Sequence, residues 1–313
     1  MPLPFALDHI NLWLIADGDG WTQVDCGYGD VATRALWEAH FDTTLAGRRL
    51  KRVVATHYHP DHLGNAAWLT RRFDCPLVMP QAEFLTAHMV GNACGGYGIE
   101  STCALFRAHG MGTDHLTQMQ ARGNRYRRGV PELPATFRRL LPGDDLEIGK
   151  YRWQAIGGYG HSPEHVSLYC EQLDACISGD MLLPKISTNV SVWPAEPEGD
   201  PLARFLDSLP DFAALPPETL VLPSHGLPFI GAGLRVDQLR SHHAARLAEL
   251  ETAAATPKTA AELLPVLFRR ELDVQQRFFA MGEAIAHLNH LWHARRLART
   301  IADDGTIRFG RST

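Results

Sequence analysis

The sequence predicts an α/β fold with a helical C-terminal region, and three observations lead to this prediction. Short strand-like runs alternate with helix-like stretches over the first 80 residues. The strand pattern returns at 145–180 and once more at 220–222. Beyond residue 233, helix patterns follow one another up to a short terminal hairpin. Alternating strands and helices are typical of an α/β domain with layered sheets and helices.

The first predicted elements are a β-hairpin followed by alternating helices and strands. Ile10–Ile15 and Trp21–Val24 are apolar-rich runs joined by two Asp-Gly pairs, which favour a tight hairpin turn. The remaining elements up to residue 80 are the helix Val31–His40, the buried strand Arg52–Thr56, the helix Ala66–Phe73 and the strand Leu77–Met79. This order predicts parallel strand pairing after the hairpin.

Residues 81–140 interrupt this alternation. The segment is helix-prone, rich in glycine, and carries six arginines, namely Arg122, Arg125, Arg127, Arg128, Arg138 and Arg139. We interpret it as a helical insertion that lies over the functional site. Guanidinium groups bind phosphates and carboxylates in a bidentate manner, so the arginines are candidates for holding an anionic substrate. A solvated helix face is an equally good interpretation of the same charges.

The second half of the chain predicts more strands and then a small separate domain. The strands are Tyr151–Ile156, Val166–Cys170, Ala175–Ser178 and Leu220–Leu222. A helix over 237–255 follows, Thr259 and Glu262 form a capping box for the next helix, and a longer helix covers about 274–298. A hairpin at Asp303-Asp304-Gly305 ends the chain. We therefore predict one domain over 1–235 and a winged-helix-like domain over 236–313.

Composition and charge exclude several classes of protein. Lys and Arg number 30 against 35 Asp and Glu, a net charge of −5 that argues against a general nucleic-acid coat protein. The first 20 residues contain no Lys or Arg and place Asp8 and His9 inside the apolar stretch, unlike a secretory signal. No apolar run approaches the roughly 18 residues of a membrane span. The six cysteines form no C-x-x-C pair, so we expect reduced thiols and a cytoplasmic protein.

A dense cluster of metal-ligating residues follows the strand Arg52–Thr56. His57, His59, Asp61 and His62 lie within six residues. Side chains alternate along a strand, so His57 and His59 project to the same side, and a tight loop brings the other two to the same cavity. Imidazole nitrogens and carboxylate oxygens are ligands that zinc prefers. Four such ligands exceed what one ion with an open position uses, so two ions are predicted; a histidine-rich surface loop is the disfavoured alternative.

This H-x-H-x-D-H segment resembles the signature of the metallo-β-lactamase superfamily. The other motifs of that family follow in order: Gly160-His161-Ser162, Ser178-Gly179-Asp180 and Ser224-His225-Gly226. The resemblance covers about residues 5–230. It implies an αββα sandwich, to which this chain adds the helical insertion and the C-terminal winged-helix-like domain. The order of helices and the hairpin is similar to a subfamily with a C-terminal winged-helix extension.

The resemblance also implies a ligand set, position by position. It assigns the first ion to His57, His59 and His161, the second to Asp61, His62 and His225, and a bridging role to Asp180. Asp25, in V-D-C-G, matches a position that supports the ligands without binding metal. We expect two divalent ions, zinc first, with iron or manganese as alternatives because all ligands are nitrogen or oxygen. The full set argues against the single-iron dioxygenase branch.

The activity that the resemblance implies is hydrolysis by a metal-bound hydroxide, with Asp61 relaying the proton. The chain length and the absence of a leader favour cytosolic thioesterases, esterases and lactonases similar to glyoxalase II. An acyl thioester is the first expectation, single-stranded RNA the second and a lactone the third. We expect a small anionic substrate held by Arg122, Arg125, Arg127 and Arg128. The C-terminal domain is expected to serve packing or homodimerisation rather than nucleic-acid binding.

Other histidines receive structural interpretations. His165 follows His161 closely, and a hydrogen bond at the start of a strand is favoured over substrate contact. His287, His290 and His293 recur on one face of the last long helix among leucines, which favours packing or solvent exposure over a metal site. His242 and His243 are predicted to form a surface pair.

Overall fold

A computed structural model of the 313-residue chain describes residues 1–5 and 7–311. Its helices are α1 Val31–Asp42, α2 Pro60–Leu63, α3 Ala66–Phe73, α4 Gln81–Gly91, α5 Ile99–Ala108, α6 Thr113–Arg122, α7 Tyr126–Gly129, α8 Pro201–Ala213, α9 Ala232–Ala253, α10 Ala260–Leu267 and α11 Val274–His293. Its strands are β1 Trp13–Asp17, β2 Gly20–Val24, β3 Leu50–Val54, β4 Leu77–Met79, β5 Arg138–Arg139, β6 Asp145–Ile148, β7 Tyr151–Gly158, β8 His165–Cys170, β9 Ala175–Gly179, β10 Leu220–Pro223, β11 Leu297–Ile301 and β12 Ile307–Arg311.

Two five-stranded sheets contain most of the strands. The first has the order β1-β2-β3-β4-β5, with an antiparallel β1–β2 hairpin followed by parallel pairs. The second has the order β10-β9-β8-β7-β6, with β10 parallel to β9 and the other pairs antiparallel. The predicted hairpin and the predicted parallel pairing after it are therefore confirmed.

The two sheets share one apolar core. Val54 and Val78 from the first sheet pack in the same buried cluster as Trp153, Val166 and Ile177 from the second. These positions lie on the inner faces of their strands, because alternate residues of a strand point to one face. Burial of this apolar surface is the main favourable free energy that holds the sheets together.

Helices cover the other face of the first sheet. Trp37 and Phe41 of α1 and Leu69 of α3 form a second buried cluster with Leu50 and Val53 of β3. The indole nitrogen of Trp37 also donates to the carbonyl oxygen of Cys26 over 3.0 Å. The sequence of layers from helix to sheet to sheet confirms the predicted α/β architecture.

The chain divides into two compact units. The first comprises residues 1–91, 125–188 and 208–236 and contains both five-stranded sheets. The second comprises residues 92–124, 189–207 and 237–313. The predicted insertion at 81–140 is thus shared between the two units. The predicted domain boundary at residues 235 and 236, and the placement of the insertion over the site, stay predictions.

The second unit combines helices with the antiparallel hairpin β11–β12. The capping box of α10 forms as predicted, with Thr259 accepting from the backbone of Glu262 and Glu262 accepting from that of Thr259. The ring of His109 stacks on Phe309 with centroids 5.9 Å apart, which joins the segment 92–124 to the hairpin. The winged-helix assignment of this region stays a prediction.

Several element boundaries differ from the sequence prediction. The helix α11 ends at His293, short of residue 298, because Arg295 adopts a left-handed backbone with φ of 58°. The helix α9 begins earlier, at Ala232, and α8 was not predicted. Among the residues that the structure describes, no helix has the length and apolar character to cross a membrane.

One histidine prediction is wrong. His243 is buried, so it does not belong to a surface pair, and its Nδ1 lies 3.1 Å from Nε2 of His287. Burial lowers the pKa of His243 to about 3 and that of His287 to about 4, so both rings are neutral at physiological pH. The signal missed in the sequence is the helical register of α9, which turns His243 inward.

Glu283 gives the second unit a pH-dependent stability. Its Oε2 accepts a hydrogen bond from Asn189 over 3.0 Å, and burial raises its pKa to about 7. A carboxyl whose pKa is raised on folding stabilises the fold fully below its unfolded pKa, and this stabilisation is lost as pH rises through about 7. We therefore expect Glu283→Gln to be more stable than the wild type at pH 8 by about 2 kcal/mol, with a smaller difference at pH 5. Urea unfolding at both pH values measures this; the exposed Glu218→Gln serves as the control, and a pH-independent difference would contradict the assignment.

Candidate metal centre

The candidate ligands lie just beyond the carboxyl ends of four strands. His57 follows β3, His161 follows β7, Asp180 follows β9 and His225 follows β10. The strands β7, β9 and β10 run in the same direction within the second sheet, so their carboxyl ends lie at one edge. Ligand sites in α/β proteins commonly form at this edge.

The first group consists of His57, His59, His161 and Asp180. Each offers one ligand atom, and these atoms all lie within 4.8 Å of one another. Nε2 of His57 is 2.8 Å from Nδ1 of His59 and 3.2 Å from Nε2 of His161. Nε2 of His161 is in turn 3.3 Å from Oδ2 of Asp180. Three imidazoles and a carboxylate therefore converge on one point.

The second group consists of Asp61, His62 and His225, which also lie within 4.8 Å of one another. Nε2 of His225 is 3.4 Å from Oδ2 of Asp61, and Nε2 of His62 is 3.7 Å from the same oxygen. Oδ1 of Asp180 lies 3.5 Å from His62 and 3.4 Å from His225. Asp180 thus presents one carboxylate oxygen to each group, and the structure brings all seven predicted positions together.

The rings of His62 and His225 each have a hydrogen bond on the nitrogen that faces away from the centre. These bonds indicate which ring nitrogen is available to a cation. Nδ1 of His225 lies 2.8 Å from the carbonyl oxygen of His9, and Nδ1 of His62 lies 2.8 Å from Oδ2 of Asp25. Because both partners are acceptors, the neutral form of each ring carries its proton on Nδ1, which leaves a lone pair on Nε2.

Those lone pairs have no hydrogen-bond partner. Within residues 1–5 and 7–311, Nε2 of His62, Nε2 of His225 and Oδ1 of Asp180 are buried and without a hydrogen bond. Three unpaired acceptors that face one another in a buried site are costly unless a cation lies between them. Nitrogen and carboxylate donors in this arrangement fit a divalent metal ion.

The electrostatics keep His57, His59 and Asp180 deprotonated, whereas they favour the protonated form of His62 and His225. Burial lowers the pKa of His59 to about 3 and that of His57 well below its usual range, so both rings stay neutral. Burial alone would raise the pKa of Asp180, but His225 and His62 outweigh it and hold that pKa well below the ordinary value. Metal binding requires neutral imidazoles and ionised carboxylates, so His57, His59 and Asp180 are in the form that binds metal. Burial alone would lower the pKa values of His62 and His225, but the nearby carboxylates, Asp25 and Asp180 for His62 and Asp180 for His225, outweigh it and raise both, so a metal ion would displace a proton from each ring.

Asp25 forms a hydrogen bond with the candidate ligand His62 on the side that faces away from the centre. Its backbone is left-handed, with φ of 58°. Oδ1 accepts from the backbone nitrogen of Thr56 over 2.8 Å, and Oδ2 accepts from Nδ1 of His62 over 2.8 Å. These contacts agree with the supporting position predicted for Asp25 and fix the orientation of the His62 ring.

His165 supports Asp180 in a similar way. It is buried at the first position of β8, and its Nε2 accepts from the backbone nitrogen of Asp180 over 3.2 Å. Gly179 has φ of 53°, and a Cβ at this position would lie 2.3 Å from Nε2 of His165. Only glycine permits this approach, and the favoured hydrogen-bonding interpretation of His165 is confirmed.

Sequence reasoning missed Glu83 and Tyr126. The Glu83 carboxylate contacts the backbone of Tyr58 and the side chain of Ser162, next to ligands of the first group. The hydroxyl of Tyr126 donates to the carbonyl oxygen of Tyr58 over 2.7 Å. Neither residue lies in a motif, and the segment around each shows no spacing that signals a buried polar role.

The six arginines do not form one cluster. Arg122 lies in the second unit and contacts Gln275, whereas residues 125–128 belong to the first unit. Nε of Arg127 donates to the carbonyl oxygen of Gly91 over 2.9 Å. Arg138 and Arg139 line a cavity of about 540 Å³ with Arg49, and no candidate ligand lines that cavity. Among the six, therefore, the pair Arg138 and Arg139 lies apart from the metal centre.

Two known families match this chain. The family described as "Metallo-beta-lactamase superfamily" matches residues 6–225. The chain belongs to this superfamily. The family described as "Metallo-beta-lactamase-like, C-terminal domain" matches residues 247–312. Family membership and the site geometry identify a metal-dependent hydrolase with the metallo-β-lactamase fold.

Several individual proteins are similar to this chain over most of the length of the chain. A probable metallo-hydrolase of Bacillus subtilis is 25% identical, over 93% of this chain and 90% of the relative. A hydroxyacylglutathione hydrolase of Acidiphilium cryptum is 29% identical, over 86% and 85%. A crystal structure of a beta-lactamase domain protein from Burkholderia ambifaria is 46% identical over 100% of this chain and 91% of that one, with a TM-score of 0.93. A di-iron-bound crystal structure is 25% identical over 75% and 96%, with a TM-score of 0.50.

Removal of the Asp25 carboxylate tests its support of the metallo-β-lactamase site. Asp25→Asn tolerates the left-handed backbone but replaces a carboxylate oxygen by an amide group. We expect metal affinity to fall by about 10- to 100-fold, because His62 loses the acceptor that orients it. Competition with a chromogenic chelator measures this. Asp174→Asn is the matched control, since Asp174 is also left-handed, with φ of 47°, and contacts Thr219 instead. Equal affinities in both variants would contradict the expectation.

Proposed function

We propose that this hydrolase cleaves an acyl thioester or a related ester with the help of two divalent ions. His57, His59 and His161 would hold the first ion, Asp61, His62 and His225 the second, and Asp180 would bridge them. The observation that carries this proposal is the carboxylate of Asp180, whose two oxygens face different groups, 3.3 Å from His161 and 3.4 Å from His225.

Two ions held there would supply Lewis-acid chemistry, acidifying water and polarising a substrate oxygen. The protein's own contribution is position and proton handling. Asp61 is the candidate to accept the proton of the attacking water, because its side chain is 12% exposed and its Oδ2 lies 3.4 Å from Nε2 of His225. His62 and His225 keep their second nitrogens bonded to acceptors, which holds both rings in fixed orientations.

Zinc is the proposed metal, with iron or manganese as alternatives. Mixed imidazole and carboxylate donors suit all three, and the similar structure described as di-iron-bound gives iron specific support. Elemental analysis of the purified protein, followed by reconstitution of the metal-depleted protein with each ion, identifies which metal restores activity.

A thioester is the proposed substrate class because several relatives are named hydroxyacylglutathione hydrolases, at 29% and 22% identity. Such substrates carry an anionic leaving group. Arg125 and Arg128 are exposed and lie close enough to Tyr28 to influence its pKa, as does Asp61. Gly129, next to Arg128, also approaches Pro60 of the ligand loop. These two arginines are therefore the proposed contacts for the leaving group.

Substitution of the bridging carboxylate tests the metal mechanism. Asp180→Asn leaves the shape of the side chain but removes its charge. Substitution of a residue that hydrogen-bonds to a metal ligand typically lowers activity by up to about 100-fold. We expect kcat/KM of Asp180→Asn to fall by more than this, and metal content to drop from two ions toward one. Elemental analysis and assays on glutathione and coenzyme A thioesters measure both.

A substrate panel separates this proposal from its alternatives. The same preparation is tested on a lactone and on a labelled single-stranded RNA. Thioester turnover that Asp61→Ala and Asp180→Asn abolish supports the proposal. RNA cleavage without thioester turnover would favour a nuclease, and lactone turnover alone would favour a lactonase. One bound iron without any hydrolysis would contradict the two-ion mechanism.

The arginine contacts have a separate test. We expect Arg125→Gln and Arg128→Gln each to raise KM for a coenzyme A thioester by about tenfold, since a hydrogen bond to a charged group contributes about 1.5–3 kcal/mol. kcat should change little. Arg138→Gln, on β5, is the control that keeps KM unchanged. A neutral thioester should show no such effect, and an equal rise for both substrates would refute the charge-based explanation.

A further inference from the structure

Glu83 is a buried carboxylate that joins two ligand-bearing segments. It lies on α4, and its side chain is inaccessible to solvent. Its Oε2 accepts from the backbone nitrogen of Tyr58, between His57 and His59, over 2.9 Å. Its Oε1 accepts from Oγ of Ser162, next to His161, over 2.8 Å, and from the backbone nitrogen of Glu164 over 2.6 Å.

A reciprocal contact strengthens this connection. The backbone nitrogen of Ala82, next to Glu83, donates to the Glu164 carboxylate over 3.2 Å. The segment after His161 is thus attached to the start of α4 at two points. Because Tyr126 holds the carbonyl oxygen of Tyr58, both backbone groups of Tyr58 bond to buried side chains from outside the ligand loop. The backbone between His57 and His59 therefore has little freedom to rotate.

The three hydrogen-bond donors explain why a carboxylate is required. Tyr58 and Glu164 offer backbone N–H groups and Ser162 offers a hydroxyl, so both oxygens of Glu83 must accept. A glutamine has one accepting oxygen and an NH₂ group that cannot accept. Its oxygen would keep the two bonds at Oε1, and its NH₂ would face the N–H of Tyr58. A buried N–H left without an acceptor costs about 1–3 kcal/mol, so the loop would move.

We propose that Glu83 is a positioning residue that sets the distance between the His57–His59 segment and His161, and thereby the affinity and geometry of the first ion. This inference rests on the proposed metal site. In this role Glu83 contacts the backbone and a side chain next to the ligands, and it contacts neither substrate nor metal.

The test compares three variants with one matched control. Glu83→Gln breaks the bond to Tyr58, Ser162→Ala removes one bond on the His161 side, and Tyr126→Phe removes the bond to the carbonyl oxygen of Tyr58. Glu283→Gln is the control, because Glu283 also carries a carboxyl whose pKa burial raises to about 7 and contacts Asn189 rather than a ligand segment. Circular dichroism and thermal unfolding establish that each variant is folded.

Two measurements read the effect on the metal. Chelator competition should show zinc binding of Glu83→Gln weakened by about 10- to 100-fold in one of the two binding steps, with smaller losses in Ser162→Ala and Tyr126→Phe. The visible spectrum of the cobalt-substituted protein at saturating cobalt should have shifted bands in Glu83→Gln. The control should keep both the affinity and the spectrum of the wild type.

A third measurement needs no metal. Hydrogen–deuterium exchange of the metal-depleted protein should be faster in peptides covering 57–62 and 161–165 in Glu83→Gln, and unchanged there in Glu283→Gln. Faster exchange with wild-type metal affinity and spectrum would overturn the positioning role, as would unchanged exchange. A wild-type protein that binds no metal would refute the proposed function, while exchange would still decide whether Glu83 couples the two segments.

Discussion

The arrangement of the centre depends on one constraint: several candidate ligand atoms face one another in a buried site without hydrogen bonds to satisfy them. Oδ1 of Asp180 lies 3.4–3.5 Å from the ring nitrogens of His225 and His62, and none of these atoms has a hydrogen bond within the described residues. Buried polar atoms without a hydrogen bond cost free energy unless a cation lies between them. The surrounding structure therefore has to hold them in place, through hydrogen bonds to the ligand residues and to the backbone beside them.

Several restraints act on the ligand residues from the side that faces away from the centre. Asp25 holds His62, the carbonyl oxygen of His9 holds His225, and His165 holds the backbone of Asp180. Glu83 holds the segments around His59 and His161. These supports come from separate parts of the chain, and the packed sheets bring them together. The rigidity of the site is thus a property of the fold rather than of the ligand motif.

The sequence predicted the parts that depend on local pattern. The helix Ala66–Phe73 and the strand Leu77–Met79 match their predicted bounds, because periodicity and flanking residues define them. The capping box was predictable for the same reason, because Thr259 and Glu262 are only three residues apart. The clustering of the seven candidate ligands was expected from spaced motifs and a family resemblance. The contacts of Glu83 and Tyr126, and the partner of His243, were not predictable, since each contact joins residues 25 or more positions apart in the chain.

The contact between His225 and His9 has a consequence for the order of events during synthesis. The second group needs a ring from residue 225, and that ring is oriented by a carbonyl from residue 9. A nascent chain that has left the ribosome only up to β9 carries the H-x-H-x-D-H segment but lacks this partner pair. The second group can therefore be complete only after β10 and His225 have been synthesised, and a chain that ends before them carries the histidine-rich segment without its partner ring.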